Sequence, residues 1–297
     1  MVGSPETEDG TVLVHLRSVA DALPASERRV AETIIKNPRA AVALSIKELA
    51  ARCETSTTSV VRLYRRVGYT HYKDFRIAIT REAAQEEFTV SGLPEVTGDI
   101  ERNDSLDEFV WKLATNETLS ISDTARNLDL EALARAIDLT ITARRIDIFG
   151  VGASSFVGLD LQQKLARIGR TAICWGDPHS AWTAAATLDS ECLAVTISHS
   201  GSTTETLEFS SIARQSGAAN LVITNAPESP LAEAADVVLA TAARETSFRS
   251  GAFGSRIAQL LVIDCLFVGV AQASFDESVR ALKRTYAVVS QGEQKRS

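Results

Sequence analysis

From Arg145 onward the chain reads as five short, largely apolar runs that alternate with helix-sized segments: Ile146–Phe149, Thr171–Cys174, Leu193–Ile197, Leu221–Thr224 and Val237–Ala240. Runs of strand length separated in this way predict successive βαβ crossovers, and so one parallel sheet covered by helices on both faces. A sheet of that kind presents its ligand-binding loops at the carboxyl ends of its strands. The search for chemistry therefore narrows to the residues that follow each run.

Two of those loops stand out. The first strand runs into Gly150-Val151-Gly152-Ala153-Ser154-Ser155, with a helix expected from near Phe156. Paired glycines allow a tight turn that aims backbone N–H groups and a helix N-terminus at an anion. The spacing partly matches a dinucleotide fingerprint, and Asp177 falls near the place of the ribose-binding acid. Ser155 stands where the third glycine would be. The third strand ends in Ser198-His199-Ser200-Gly201-Ser202-Thr203-Thr204-Glu205, ahead of another helix. Hydroxyls clustered at a helix start can donate to phosphate oxygens, and the unpaired N–H groups of the first turn add further donors. The run holds no lysine or arginine. Neutral donors and the helix dipole must hold the anion, which suits a single phosphate monoester better than a triphosphate with magnesium.

The N-terminal part is different. Up to about Ala84 the apolar residues recur at helical spacing, with Ser26 expected to cap a helix that Asn37-Pro38 closes. Ser45 and Glu48 form a capping-box pattern for a short helix. After the turn Cys53-Glu54-Thr55, Ser56 caps a second helix with inner residues Val60, Leu63 and Val67, ended by Gly68. Two helices on so short a turn make a helix-turn-helix. The formal net charge is −7, yet residues 45–81 carry eight basic against three acidic side chains. This local excess on an acidic body is the footprint of a small DNA-binding module. Thr57, Thr58, Val61 and Arg62 begin the second helix on its outward side, where they reach base edges. Arg65, Arg66 and Lys73 are placed to meet phosphates, which give affinity without sequence information. Tyr69 and Tyr72 are expected to pack against the helix pair.

The domains expected are a helix-turn-helix domain over 11–85, a linker over 86–104 and a ligand domain with leading helices over 105–290. The linker reading rests on Gly92, Pro94 and Gly98 among acidic residues without a period. Cys53, Cys174, Cys192 and Cys265 lie far apart with no CxxC pair, so they read as small core residues rather than metal ligands or disulfides. The acidic start lacks a signal peptide's basic and apolar regions, and the apolar stretch Ile257–Ala271 is broken by Gln259 and Asp264. A cytoplasmic protein without membrane contact, metal or cofactor is expected.

The pair formed by Gly150–Ser155 and the Ser-x-Ser-Gly-x-Thr-x-Glu run resembles the sugar isomerase (SIS) domain over about residues 125–275. Joined to the helix-turn-helix, the chain resembles the MurR/RpiR family of bacterial regulators along nearly its whole length. Ser56–Tyr69 fits that family's recognition-helix region, and Phe248–Leu260 fits its ligand domain. The resemblance implies an α/β protein: an all-α helix-turn-helix domain, then a five-stranded parallel αβα sandwich that binds phosphosugars. It implies a pocket lined by Ser154, Ser155, Ser198, Ser200 and Thr203, with Gly152 at the turn of the first loop. It also implies a regulator of carbohydrate metabolism that reads a pseudo-palindromic operator as a homodimer or homotetramer, with hexosamine phosphates and MurNAc 6-phosphate as first effectors to try. The apolar helices Leu106–Asn127 and Ile257–Ala271 are candidates for the subunit interface.

The residues also admit a phosphosugar isomerase with an accessory helical domain. Isomerisation needs a positioned base beside the C1–C2 proton. Glu205, Glu245 and His199 are the candidates, and none stands in an obvious catalytic motif. A nicotinamide oxidoreductase would rest on Gly150, Gly152 and Asp177 alone and leaves the hydroxyl-rich loop unexplained. His179 and Arg256 are further polar residues near the expected ligand loops.

Overall fold

A computed structural model describes residues 12–89, 100–244 and 252–294. The chain divides into two compact units, Met1–Asn127 with Arg244–Gly251 and Leu128–Ala243 with Ala252–Ser297.

The first unit is all helical: α1 (Val12–Val19), a 3-10 turn (Ala20–Ala22), α2 (Ala25–Lys36), α3 (Pro38–Val42), α4 (Ile46–Arg52), α5 (Thr57–Arg66), α6 (Tyr72–Thr89) and α7 (Leu106–Asn127). Side chains at helical spacing form one core of Leu13, Leu16, Val30, Ile34, Leu49, Val60, Leu63, Phe75 and Ile79, each at most 1% exposed. The helix expected to be capped by Ser26 begins two residues earlier, at Ala25. Pro24 occupies the cap position and no side-chain cap bond forms. The fixed φ of Pro24 presets the chain entry and leaves Ser26 in the first turn. Asn37 ends α2 and caps α3, accepting from the Ala40 amide at 3.0 Å ahead of Pro38. Helix α6 continues to Thr89, past the start of the expected linker, and residues 90–99 lie outside the described residues. Helix α7, counted with the ligand domain on sequence grounds, falls within the first unit.

The second unit holds α8 (Leu130–Thr142), β1 (Arg145–Gly150), α9 (Ala153–Arg167), β2 (Ala172–Cys174), α10 (Pro178–Ala185), β3 (Cys192–Ile197), α11 (Thr204–Gln215), β4 (Ala219–Thr224), α12 (Pro230–Glu233), β5 (Val237–Ala240), α13 (Phe253–Ala273) and α14 (Phe275–Gln294). The sheet has the order β2-β1-β3-β4-β5 and every pairing is parallel, as the alternating pattern predicts. One face packs Ile146, Ile148, Leu193, Val195, Ile197, Leu221 and Ile223 in a core shared with α8, α9 and α13. The other packs Phe149 and Ala194 with α10 and α11, where Phe149 and Phe209 lie with ring centroids 5.4 Å apart. Helix α13 is long and apolar enough to cross a membrane, yet Val262, Ile263, Leu266 and Val270 are buried in the first of these cores. It approaches α8 closely at Gly269, where a Cβ would stand 2.8 Å from Ile137 Cγ1. Helix α14 was not foreseen from the sequence. The cysteines are free, Cys53 and Cys192 buried and the other two half-buried, and burial pushes the Cys174 thiol up to about 11.

Candidate functional site

The chain leaves β1 toward β2 on one side and returns with β3 on the other, so the order reverses between β1 and β3. Crevices at such reversals, outside the carboxyl ends of the strands, are the usual ligand sites of open parallel sheets. Gly150 pairs with Ile197, so the loops Gly150–Ser155 and Ser198–Thr204 leave the sheet at the same level, side by side. The close approach demands glycine at the first position. A Cβ on Gly150 would lie 2.9 Å from the Ile197 carbonyl oxygen and 3.1 Å from Ser154 Cβ. Gly152, at φ 60°, is the N-cap of α9, which begins at Ala153 rather than near Phe156. A turn this tight lets the helix start three residues early.

The hydroxyl-rich loop is wound on itself. The Ser198 amide donates to the Ile223 carbonyl at 3.0 Å, which continues the sheet pairing one residue past β3. Ser198 Oγ accepts from the Gly201 amide at 3.2 Å and lies 3.4 Å from Thr203 Oγ1. Ser202 Oγ donates to Ser200 Oγ at 3.1 Å. Gly201 holds φ 60° and is pressed against Ser229, whose Oγ a Cβ would approach to 1.9 Å. Thr203 is the N-cap of α11 and makes no side-chain cap bond. Its hydroxyl is therefore not committed to the helix end, and the first-turn amides face the same loop. Ser200 and Ser202 are exposed and Thr203 half-buried, while Ser198 is buried beneath them.

The serines of the first loop sit differently. Ser155 Oγ donates to the Gly152 carbonyl at 2.7 Å, a local cap. Ser154 is 8% exposed and lies 3.3 Å from the side-chain amide of Gln259 on α13. The structure thus sets the two loops that carry Gly152, Ser154, Ser155, Ser198, Ser200 and Thr203 side by side at the carboxyl ends of β1 and β3, with Ser200, Ser202 and Thr203 as accessible hydroxyls.

Sequence reading missed the supports of this face. The His199 carbonyl accepts from the Asn225 amide at 3.1 Å and from Thr224 Oγ1 at 3.3 Å. Trp182 Nε1 on α10 donates to the Glu205 carbonyl at 3.1 Å, and the His179 ring lies edge-on to Trp182 at 5.4 Å. Asp177, weighed as a ribose ligand, caps α10 by accepting from the Ser180 amide at 2.9 Å. The position of Thr224-Asn225 at the carboxyl end of β4 is the one signal that could have pointed to them. Glu245 and Phe248–Gly251 lie outside the described residues.

In the first unit the capping box at Ser45 is complete in both directions, with the Ser45 amide 2.7 Å from Glu48 Oε2. Ser56 Oγ accepts from the Ser59 amide at 3.2 Å and starts α5. Val60, Leu63 and Tyr64 face inward, whereas Thr57, Thr58, Arg62 and Arg65 are exposed and Val61 is half-buried. Gly68, at φ 92°, ends the helix in the left-handed conformation that favours glycine. Lys73 is exposed at the start of α6. Arg66 has a second commitment, donating through Nε to Glu27 Oε2 on α2 at 3.0 Å; Glu27 is 3% exposed. Tyr69 and Tyr72 pack with Phe75, and Tyr72 Oη donates to the Leu44 carbonyl at 3.1 Å. They serve the packing of the helix pair, as their expected role had it.

Residues 10–86 match the family model described as a helix-turn-helix domain of the rpiR family, and residues 140–269 match that of the SIS domain. An uncharacterized HTH-type transcriptional regulator of Caldanaerobacter subterraneus subsp. tengcongensis is 35% identical over 94% of this chain and 97% of its own length. Another from Bacillus subtilis is 31% identical, covering 93% and 96%. Among solved structures, the Vibrio vulnificus NanR protein complexed with ManNAc-6P is 32% identical, covers 93% of this chain and 97% of its own, and has a TM-score of 0.58. The sugar isomerase domain of an RpiR transcription factor from Sphaerobacter thermophilus, at 22% identity and a TM-score of 0.54 over 59% of this chain and 96% of its own, shares the fold.

Proposed function

Since the chain belongs to the rpiR family of helix-turn-helix transcriptional regulators that carry a SIS domain, we propose that its β1–β3 crevice binds one phosphosugar and that occupancy sets how α5 engages DNA. The observation that carries this reading is the hydroxyl face Ser198–Thr203, wound at the start of α11 with the uncapped Thr203 hydroxyl among its donors. Ser198, Ser200 and Thr203 hold the phosphate, while Gly152, Ser154 and Ser155 shape the facing wall. The complex of the Vibrio relative with ManNAc-6P makes N-acetylhexosamine 6-phosphates the first ligands to try, beside MurNAc 6-phosphate. Thr57, Thr58, Val61 and Arg62 read bases, and Arg65, Arg66 and Lys73 meet phosphates, with Arg66 sharing its charge with Glu27.

An operator with two half-sites calls for two recognition helices. A homodimer is supported by exposed apolar side chains on α7, where Leu106 is 78% and Val110 51% exposed, and on α13, where Val268 is 57% exposed. The relatives are named as regulators. The role is accordingly binding rather than turnover, in a cytoplasmic protein.

A thermal-shift screen of the full chain against hexosamine 6-phosphates, followed by gel shifts on its own upstream DNA, tests the reading. A hit is expected to raise the melting midpoint and to change operator affinity. Absence of any hit, or of any specific DNA site, would overturn it. Turnover of an aldose or ketose phosphate that is lost in Glu205→Gln would favour the isomerase instead.

A further inference from the structure

Arg244 belongs to the first unit, although the chain reaches it straight from the sheet of the second. Its amide donates to Ser120 Oγ on α7 at 2.9 Å. Its guanidinium donates through Nε to Asp123 Oδ2 at 2.8 Å and through Nη2 to Glu86 Oε1 on α6. Arg17 on α1 faces the same two carboxylates, at 3.2 Å from Asp123 and 2.9 Å from Glu86. Arg126 Nη1 stands 3.9 Å from Asp123 Oδ1 as well, so three arginines face these two acids, and the most shielded member, Asp123, is 1% exposed. Burial raises Asp123, while at Glu86 the charges of Arg17 and Arg244 overcome burial and hold the carboxyl low. Loss of Arg17 or Arg244 strips a close partner from both buried carboxylates.

The residues just before Arg244 are gripped within the second unit. The Thr241 amide donates to the Thr224 carbonyl at 2.8 Å. Asn225 Oδ1 accepts from Thr241 Oγ1 at 3.0 Å and from the Ala243 amide at 2.7 Å. The same Asn225 donates its amide to the carbonyl of His199, inside the hydroxyl loop. Consecutive residues, Ala243 and Arg244, are thus held by different units, one through the effector loop and the other through the ion cluster that ties α1, α6 and α7 together.

We propose that Arg244 is the coupling residue of the regulator. An anion that reshapes the loop around His199 and Asn225 changes the hold on Ala243, and with it the grip of Arg244 on Asp123 and Glu86. Coupling of this kind needs an element with two arrangements that both sites bias. The segment Thr241–Arg244 is that element. The inference rests on the phosphosugar reading of the crevice for its effector, but not for its mechanical part.

Hydrogen exchange on the full chain tests the mechanical part without ligand. Asn225→Ala removes the grip on Thr241 and Ala243, and exchange in the Leu106–Asn127 segment is expected to rise several-fold. Ser210→Ala, which loses a 3.0 Å hydrogen bond to Asn220 in the same unit, is expected to leave it unchanged. Exchange in that segment insensitive to Asn225→Ala would overturn the inference.

The second arm uses operator DNA and the hexosamine 6-phosphate giving the largest thermal shift. Arg244→Gln is expected to bind that sugar phosphate as the parent does while losing the change in DNA affinity, and Arg244→Lys to recover part of it. An unaltered response in Arg244→Gln would also overturn the proposal. Should Arg244→Gln fail to fold, Asn225→Ala, whose ion cluster is intact, is measured in its place. A parent protein that binds no sugar phosphate would sink the phosphosugar reading, and the exchange arm would still decide the role of Arg244.

Discussion

Ser198 shows how much one residue of the site carries. Its hydroxyl accepts from Gly201 and meets Thr203, so it shapes the loop as well as serving the proposed phosphate site. Ser198→Ala is expected to lower sugar-phosphate affinity by about 10- to 100-fold, as for one lost hydrogen bond to a charged group. Calorimetric titration measures it, and an affinity within twofold of the parent would remove Ser198 from the site. Glu82 is a second telling residue. It accepts from the Leu13 and Val14 amides at the start of α1, and burial pushes its carboxyl up to about 7 although the Leu13 bond and Arg17 pull it down. The folded state therefore keeps a proton that the unfolded chain has released. Its contribution to stability is present at low pH and is lost as pH rises from about 4.5 to about 7. Melting curves of Glu82→Gln against the parent over that window should show a flatter pH slope in the variant. Serine and threonine types at a helix start were legible from the sequence because more hydroxyls gather in Ser198–Thr204 than one N-cap needs. Asn225, Gln259 and Arg244 were not, since each acts through partners 16 to 158 residues away, such as Thr241, Ser154 and Glu86.

Elements were read more securely than their ends. All five strands appear where the apolar runs place them, and β1, β3 and β4, buried along nearly their whole length, leave little latitude in composition. Helix α9 starts earlier than expected and α2 two residues early, as backbone geometry at Gly152 and Pro24, rather than apolar periodicity, sets those starts. The capping box of α4 was fully legible, both of its bonds lying within four residues of chain. Ser45→Ala is expected to cost about 1 kcal/mol of stability, read as a lower urea midpoint with unchanged slope; an unshifted midpoint would show that the cap adds nothing. On α5, Arg65→Ala should weaken binding to all DNA sequences alike and reduce the salt slope of log affinity by about one. A loss confined to the specific operator would instead place Arg65 at a base.

At the level of the whole molecule, the order of domains was legible because charge and periodicity both change along the chain. The boundary was less so. Helix α7 reads from its sequence as the lead-in to the sheet domain, yet Asp123 and Ser120 join it to the unit of α1 and α6 through Arg17 and Arg244. Long-range ion pairs leave no local pattern, so composition could not have assigned it.

On the proposed reading the effector loop, which contains no lysine or arginine, would hold its anion with hydroxyls and amides, whereas the DNA-reading surface would work through exposed arginines on a polymer that carries condensed counterions. Release of those counterions makes the second interaction fall steeply as salt rises, roughly as a power law whose exponent counts the phosphates neutralised. The first displaces no such atmosphere. Osmotic upshift, which concentrates cytoplasmic potassium, should therefore loosen the operator complex while sugar-phosphate affinity barely moves. Such a cell would keep measuring the metabolite at nearly constant sensitivity while the occupancy of its promoter drifted with ionic strength.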